Sequence, residues 1–163
     1  MDYLQPRVSL SEKEFKEKFG KDIFNELAGI ARAKYGNTCC GCETSPSAAF
    51  LNDSKHLLDV HIVAVNEESP VSSEAVVLCR ACHALQHIDK SIEAGFVLIC
   101  NSSLSQKEII QKSRERDIAF HENKGNIKYL KLTGQEYIDK LNNNTLGPNL
   151  IKFVFKDSFD FGT

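Results

Sequence analysis

The sequence predicts an α+β fold, and three observations predict it. Capped, amphipathic helical stretches recur along the chain. Short runs rich in β-branched residues, DVHIVAV, AVVLC, FVLIC and IKFVF, read as strands. Two C-x-x-C pairs, Cys39/Cys42 and Cys79/Cys82, bracket one strand–loop–strand stretch in the middle of the chain. Three segments follow from this texture: a helical segment 1–38, a cysteine-rich segment 39–95 and a mixed α/β extension 96–163.

Segment 1–38 reads as helical. Ser11 and Glu14 have the S-x-x-E spacing of a capping box at the start of SEKEFKEKF, and Gly20 is placed to end that helix. A second helix over Ile23 to Lys34 sets Phe24, Leu27, Ile30 and Ala31 on one face, and Gly36 stops it. In segment 39–95, TCCGCETS is turn-like and KHLLDVHIVAV is a strand. NEESPVSSE is a polar loop, AVVLC a second strand, and RACHALQHIDKSIEAG one helix ending at Gly95. In the extension, FVLIC is a buried strand. Ser105/Glu108 and Thr133/Glu136 cap the helices QKEIIQKSRERDIAF and QEYIDKL, with NIKYLKL between them. NNNTLGPN is a turn, IKFVF a last strand and DSFDFGT a tail.

The bulk numbers narrow the function classes. A formal net charge of −2 argues against DNA or RNA as the main partner, because phosphate neutralisation calls for a basic excess. Residues 1–20 hold no apolar run, and no stretch approaches the ~18 apolar residues of a membrane span. The expectation is a cytoplasmic protein without membrane insertion, in a reducing compartment. Its six cysteines then act as thiols or metal ligands rather than disulfides.

Zinc takes four soft ligands in a tetrahedron, and a C-x-x-C turn brings two thiolates to one point with little backbone strain. Cys39, Cys42, Cys79 and Cys82 supply a closed set of four, with no position left open for chemistry, so the zinc is structural. Buried cysteines serving as small apolar residues account for one such pair more readily than for two. Cys40 sits between ligands with the poorer C-x-C spacing, and Cys100 lies in the apolar strand FVLIC as a core residue.

With the cysteines placed, C-x-x-C, LLDVHIVAV and LCRACH resemble the HNH family of ββα-metal nucleases over roughly residues 36–90. The resemblance implies a hairpin and helix around the structural zinc, with a separate catalytic divalent ion, Mg2+ or another. It places His61, 18 residues before Cys79, as the general base that activates water for attack on a phosphodiester in DNA. His83, immediately after Cys82, falls at the metal-ligand position of the helix, and His87 lies one turn further on the same face. Each histidine also has a plain structural reading: a buried strand residue, a partner of the cysteine sulfurs, a surface side chain. The chain departs from the family pattern where it matters. Val60 stands where the family has a metal-binding Asp or His. Asp59 comes one place early, and strand alternation turns it to the opposite face. Glu74 replaces the usual Asn, and the loop lacks the family's glycines. These departures describe an HNH-like layout with a damaged catalytic site.

The stretch SIEAGFVLICNSSLSQKEIIQKS adds a second resemblance, to the IcmJ (DotN) component of type IVB secretion systems. Members of that group carry a degenerate HNH-like zinc module and act as adaptors that dock onto the tail of a coupling ATPase. Together the two resemblances imply a non-catalytic, protein-binding adaptor of a type IV secretion coupling complex. The competing implication is a metal-dependent HNH DNA endonuclease working through His61 and His83.

Overall fold

A computed structural model of the chain describes residues 2–43, 58–63, 69–70, 73–114, 128–143 and 151–155. The fold is α+β, with two small antiparallel sheets. The chain divides into two compact units, one up to His87 and one from Ile88 onward. Among the described residues, no helix is long and apolar enough to cross a membrane.

The first unit opens with an irregular stretch, where a helical reading was expected; residues 2–9 form turns and a single bridge between Val8 and His87. Helix α1, Glu12–Phe19, starts where the Ser11 hydroxyl accepts the Glu14 N–H, and it ends at Gly20. Helix α2 follows over Lys21–Tyr35 and stops at Gly36, whose φ of 59° suits the absence of a Cβ. Phe15 and Phe24 meet edge-on at 6.3 Å and join the two helices. Phe24 and Ala31 are buried, but Ile30 is 56% exposed, contrary to the expected apolar face. At 100° per residue, position 30 sits about 120° around the helix from position 24, whereas 31 returns to it.

The hairpin comprises β1, Asp59–Val63, and β2, Glu74–Leu78, in antiparallel register with His61 opposite Val76 and Asp59 opposite Leu78. Alternation divides β1 into two faces: Asp59, His61 and Val63 on one, Val60 and Ile62 on the other. Val60, His61, Ile62, Val76, Val77 and Leu78 are all buried. Helix α2 packs across the hairpin, and the Arg32 guanidinium donates to the Leu58 carbonyl at 3.4 Å. Helix α3, Arg80–Gln86, follows β2 directly. The single helix expected over RACHALQHIDKSIEAG is two helices, α3 and α4 (Ile88–Glu93), parted at His87 with φ −129° and ψ 50°. His87 leaves the helical path because its backbone pairs with Val8 and its ring bonds to Ser9. That is a tertiary partner overriding local propensity.

In the second unit, β3 (Val97–Asn101) lies between β4 (Lys128–Leu130) and β5 (Ile151–Phe155), both antiparallel to it. Helix α5, Gln106–Arg114, opens with a reciprocal capping box. The Ser105 N–H reaches the Glu108 carboxylate at 2.8 Å, and the Glu108 N–H reaches the Ser105 hydroxyl at 3.1 Å. Helix α6, Gly134–Asn142, is capped by Thr133 as expected. Tyr137 of α6 meets Phe153 edge-on at 5.5 Å, while Cys100, Val154, Ile109 and Leu104 cluster together. The Gln106 amide both donates to the Phe153 carbonyl (2.8 Å) and accepts its N–H (2.9 Å), so a side chain occupies the open edge of β5. Of the remaining expected features, residues 44–57 and 115–127, most of the two polar loops and the tail lie outside the described residues.

Candidate metal centres

The first centre grows from the turn after α2. The Cys40 N–H donates to the Val77 carbonyl at 2.9 Å, pinning the turn to β2, and the Glu43 N–H closes it on the Cys39 carbonyl at 3.0 Å. Cys79 follows β2 and caps α3, its sulfur accepting the Cys82 N–H at 3.5 Å. These two local devices bring Cys39, Cys42, Cys79 and Cys82 together, with every sulfur within 4.8 Å of the others. All four are buried, at 0 to 3% exposure. The Cys42 and Cys79 sulfurs are 3.8 Å apart. A tetrahedron with Zn–S bonds of about 2.3 Å has an S···S edge of about 3.8 Å, so the spacing fits the ion.

Backbone donors complete the surroundings. Cys39 Sγ accepts the N–H of Gly41 at 3.3 Å and that of Cys79 at 3.2 Å, contacts that favour a thiolate. Gly41 is a matter of space: a Cβ there would lie 2.7 Å from Cys82 Sγ. Four thiols this close do not ionise together without a cation. Hydrogen bonding to Cys39 and Cys42 pushes Cys79 and Cys82 well up. Cys39 falls to about 7: its bond with Cys42 raises it, and those with Cys79 and Cys82 together outweigh that. A divalent cation among the four sulfurs would displace the remaining thiol protons. The donor set, its geometry and its burial fit a metal ion such as zinc.

Cys40 is half-buried and outside this group. Cys100 is a core thiol: it donates to the Lys152 carbonyl at 3.4 Å, and burial pushes it up to about 11.

A second cluster lies on the hairpin face that carries His61. The rings of His61, His83 and His87 meet edge-on, with centroids 5.3, 5.2 and 4.9 Å apart, and each offers a nitrogen within 4.8 Å of the others. His83 and His87 reach it because they are four apart, although the helix ends between them. Asp59 belongs here too. It does not face away: its carboxylate bonds His83 Nδ1 at 3.2 Å, as the shared parity of positions 59 and 61 requires. Glu74 pairs with Val63 at the far end of the hairpin and is exposed.

The hydrogen bonds set the tautomers. The Ser9 carbonyl, 3.1 Å from His87 Nδ1, only accepts, so that nitrogen carries the proton. The Asp59 carboxylate fixes His83 in the same way. Both Nε2 atoms then carry no proton, and they face each other at 3.1 Å. Two lone pairs at that distance call for a cation between them, either a shared proton or a metal. Three imidazoles suit zinc, nickel, cobalt or copper. They do not suit Mg2+, which takes oxygen ligands, and Asp59 is engaged with His83.

His61 is 3% exposed, and burial lowers it to about 3, with His83, His87 and Arg7 adding repulsion. Its folded value lies below the ordinary ~6.5 of the unfolded chain. Stability is therefore unaffected above pH ~6.5 and falls as pH drops from there towards 3, by about 1.4 kcal/mol per unit. Urea melts at pH 7 and pH 5 should show the wild type losing about 2 kcal/mol more than His61→Leu. Equal losses would mean that His61 is solvated.

The four cysteines singled out in the sequence come together, and so do His61, His83 and His87. Sequence reasoning missed Ser9 and the role of Asp59; the i, i+2 relation of Asp59 to His61 was the available signal. Comparison with known protein families, curated proteins and solved structures finds no match for this chain.

Proposed function

We propose that this chain is a zinc-stabilised, non-hydrolytic module of HNH-like layout that binds another protein. The observation that supports this reading is the state of His61. A general base works best with a pKa near the operating pH and with access to water. His61 is sealed at 3% exposure and held at about 3. Val60, where the resemblance calls for a metal ligand, is apolar and on the other face of the strand. The net charge of −2 favours a protein over nucleic acid as partner. The likeness to the IcmJ group names its class: the tail of a coupling ATPase in a type IV secretion complex.

A second reading, a metal-dependent DNA endonuclease, draws on one observation: Asp59, His61, His83 and His87 converge on one face. One assay separates the two. Plasmid DNA is incubated with wild-type protein and His83→Ala in Mg2+, Mn2+, Ni2+ or Zn2+. The adaptor reading expects no nicking by either protein, and a complex with the ATPase tail in calorimetry. Metal-dependent nicking lost in His83→Ala establishes the nuclease instead.

A further inference from the structure

We propose that residues 2–9 are the closing strap of the three-histidine site, so that docking of the strap on α3 and binding of a late first-row divalent ion at His61, His83 and His87 are coupled. The inference rests on the metal-binding reading of the triad. Its starting point is the Ser9 carbonyl, which holds the Nδ1 proton of His87 at 3.1 Å and aims Nε2 at His83. Carbonyls and carboxylates behind metal-ligating imidazoles set their tautomer and orientation, and losing one typically costs about 10- to 100-fold in affinity. His83 has its partner in Asp59, from the hairpin. The partner of His87 comes from the strap.

The strap is held by a built contact. Gln86, 1% exposed on α3, donates its amide to the Tyr3 carbonyl at 2.8 Å and the Gln5 carbonyl at 3.3 Å. Its oxygen accepts from the Arg7 guanidinium at 3.0 Å. The Arg7 N–H bonds the Leu85 carbonyl at 2.8 Å, and Val8 bridges His87. A buried amide that spends both donors and its acceptor on one segment loses them all if that segment lifts. Gln86 is thus a positioning residue: it touches no ligand nitrogen and acts through Ser9. Coupling between two binding events is reciprocal, so an ion on His87 tightens the strap by the factor by which the strap tightens the ion.

The test uses the full chain with one zinc in the cysteine site. Co2+ is titrated into wild type and Gln86→Ala, and its absorption reports a nitrogen-bound ion without the sulfur charge-transfer band of a thiolate site. The expected result is a cobalt equivalent in the wild type whose affinity is about 10- to 100-fold weaker in Gln86→Ala, with the zinc content unchanged. Independently of any variant, a second equivalent of Zn2+ added to wild type should slow hydrogen exchange at the Arg7 amide by a similar factor. Equal cobalt affinities, or Arg7 exchange indifferent to the second zinc, overturn the coupling and leave the site standing. No second equivalent in the wild type removes the triad site itself, and the inference with it.

Discussion

Cys79→Ser should unfold the unit that ends at His87. The variant should purify without zinc and lose the dispersed amide resonances of the hairpin. Cys79 belongs to the four-sulfur cluster and is also the N-cap of α3, and its sulfur lies 3.8 Å from that of Cys42. A structural zinc contributes about 10–16 kcal/mol of apparent binding energy, and that energy is folding energy. Whole domains are stable by only about 5–15 kcal/mol, so a unit this small does not survive the loss. Cys40→Ser is the control. Cys40 lies outside the cluster, so that variant should keep one zinc per chain and its fold. A folded, zinc-free Cys79→Ser protein would remove the metal from the account of the fold.

Gly41→Ala should weaken zinc about tenfold to a hundredfold while leaving all four ligands in place. The new Cβ would lie 2.7 Å from Cys82 Sγ and 2.9 Å from Cys82 Cβ, inside the contact distance of real side chains. Cys82 is fully buried and cannot give way without moving its sulfur within the cluster. Overpacking of this kind costs about 1–3 kcal/mol, about 5- to 150-fold in affinity, which brackets the change stated. Competition against a chromophoric chelator reads it directly. An affinity equal to that of the wild type would show a looser turn than the structure describes.

The cysteine cluster was legible in the sequence because its sulfurs come from two local C-x-x-C segments, and that pairing is specified by spacing alone. The helix starts at Ser11, Ser105 and Thr133 were legible for the same reason: a cap is a contact between residues three apart. What escaped depends on contacts distant in sequence. The break of the helix at His87 comes from Val8 and Ser9, 79 and 78 residues away. No local pattern marks Gln86 as a buried clamp, since a helical glutamine reads as a surface residue until its partners are known. Asp59 was misjudged by comparison with position 60, when its own partner in the strand is position 61, on the same face. In the second unit, Gln106 was read as part of a helix start and also serves the backbone of β5, 47 residues on.

The histidine cluster gives these long-range contacts their weight. Its tautomers are set by Asp59 from one element and by Ser9 from another, and His61 is buried against the other two rings. Only the HNH resemblance suggests a catalytic position for His61, and burial weakens it as a base.

The central claim is that one ion sits among four thiolates and organises the first unit. X-ray absorption at the zinc edge, on purified chain carrying one equivalent of zinc, tests it most directly. The account predicts a single shell of four sulfurs at about 2.3 Å. A shell containing nitrogen or oxygen, or protein that folds and holds no zinc at all, would contradict it.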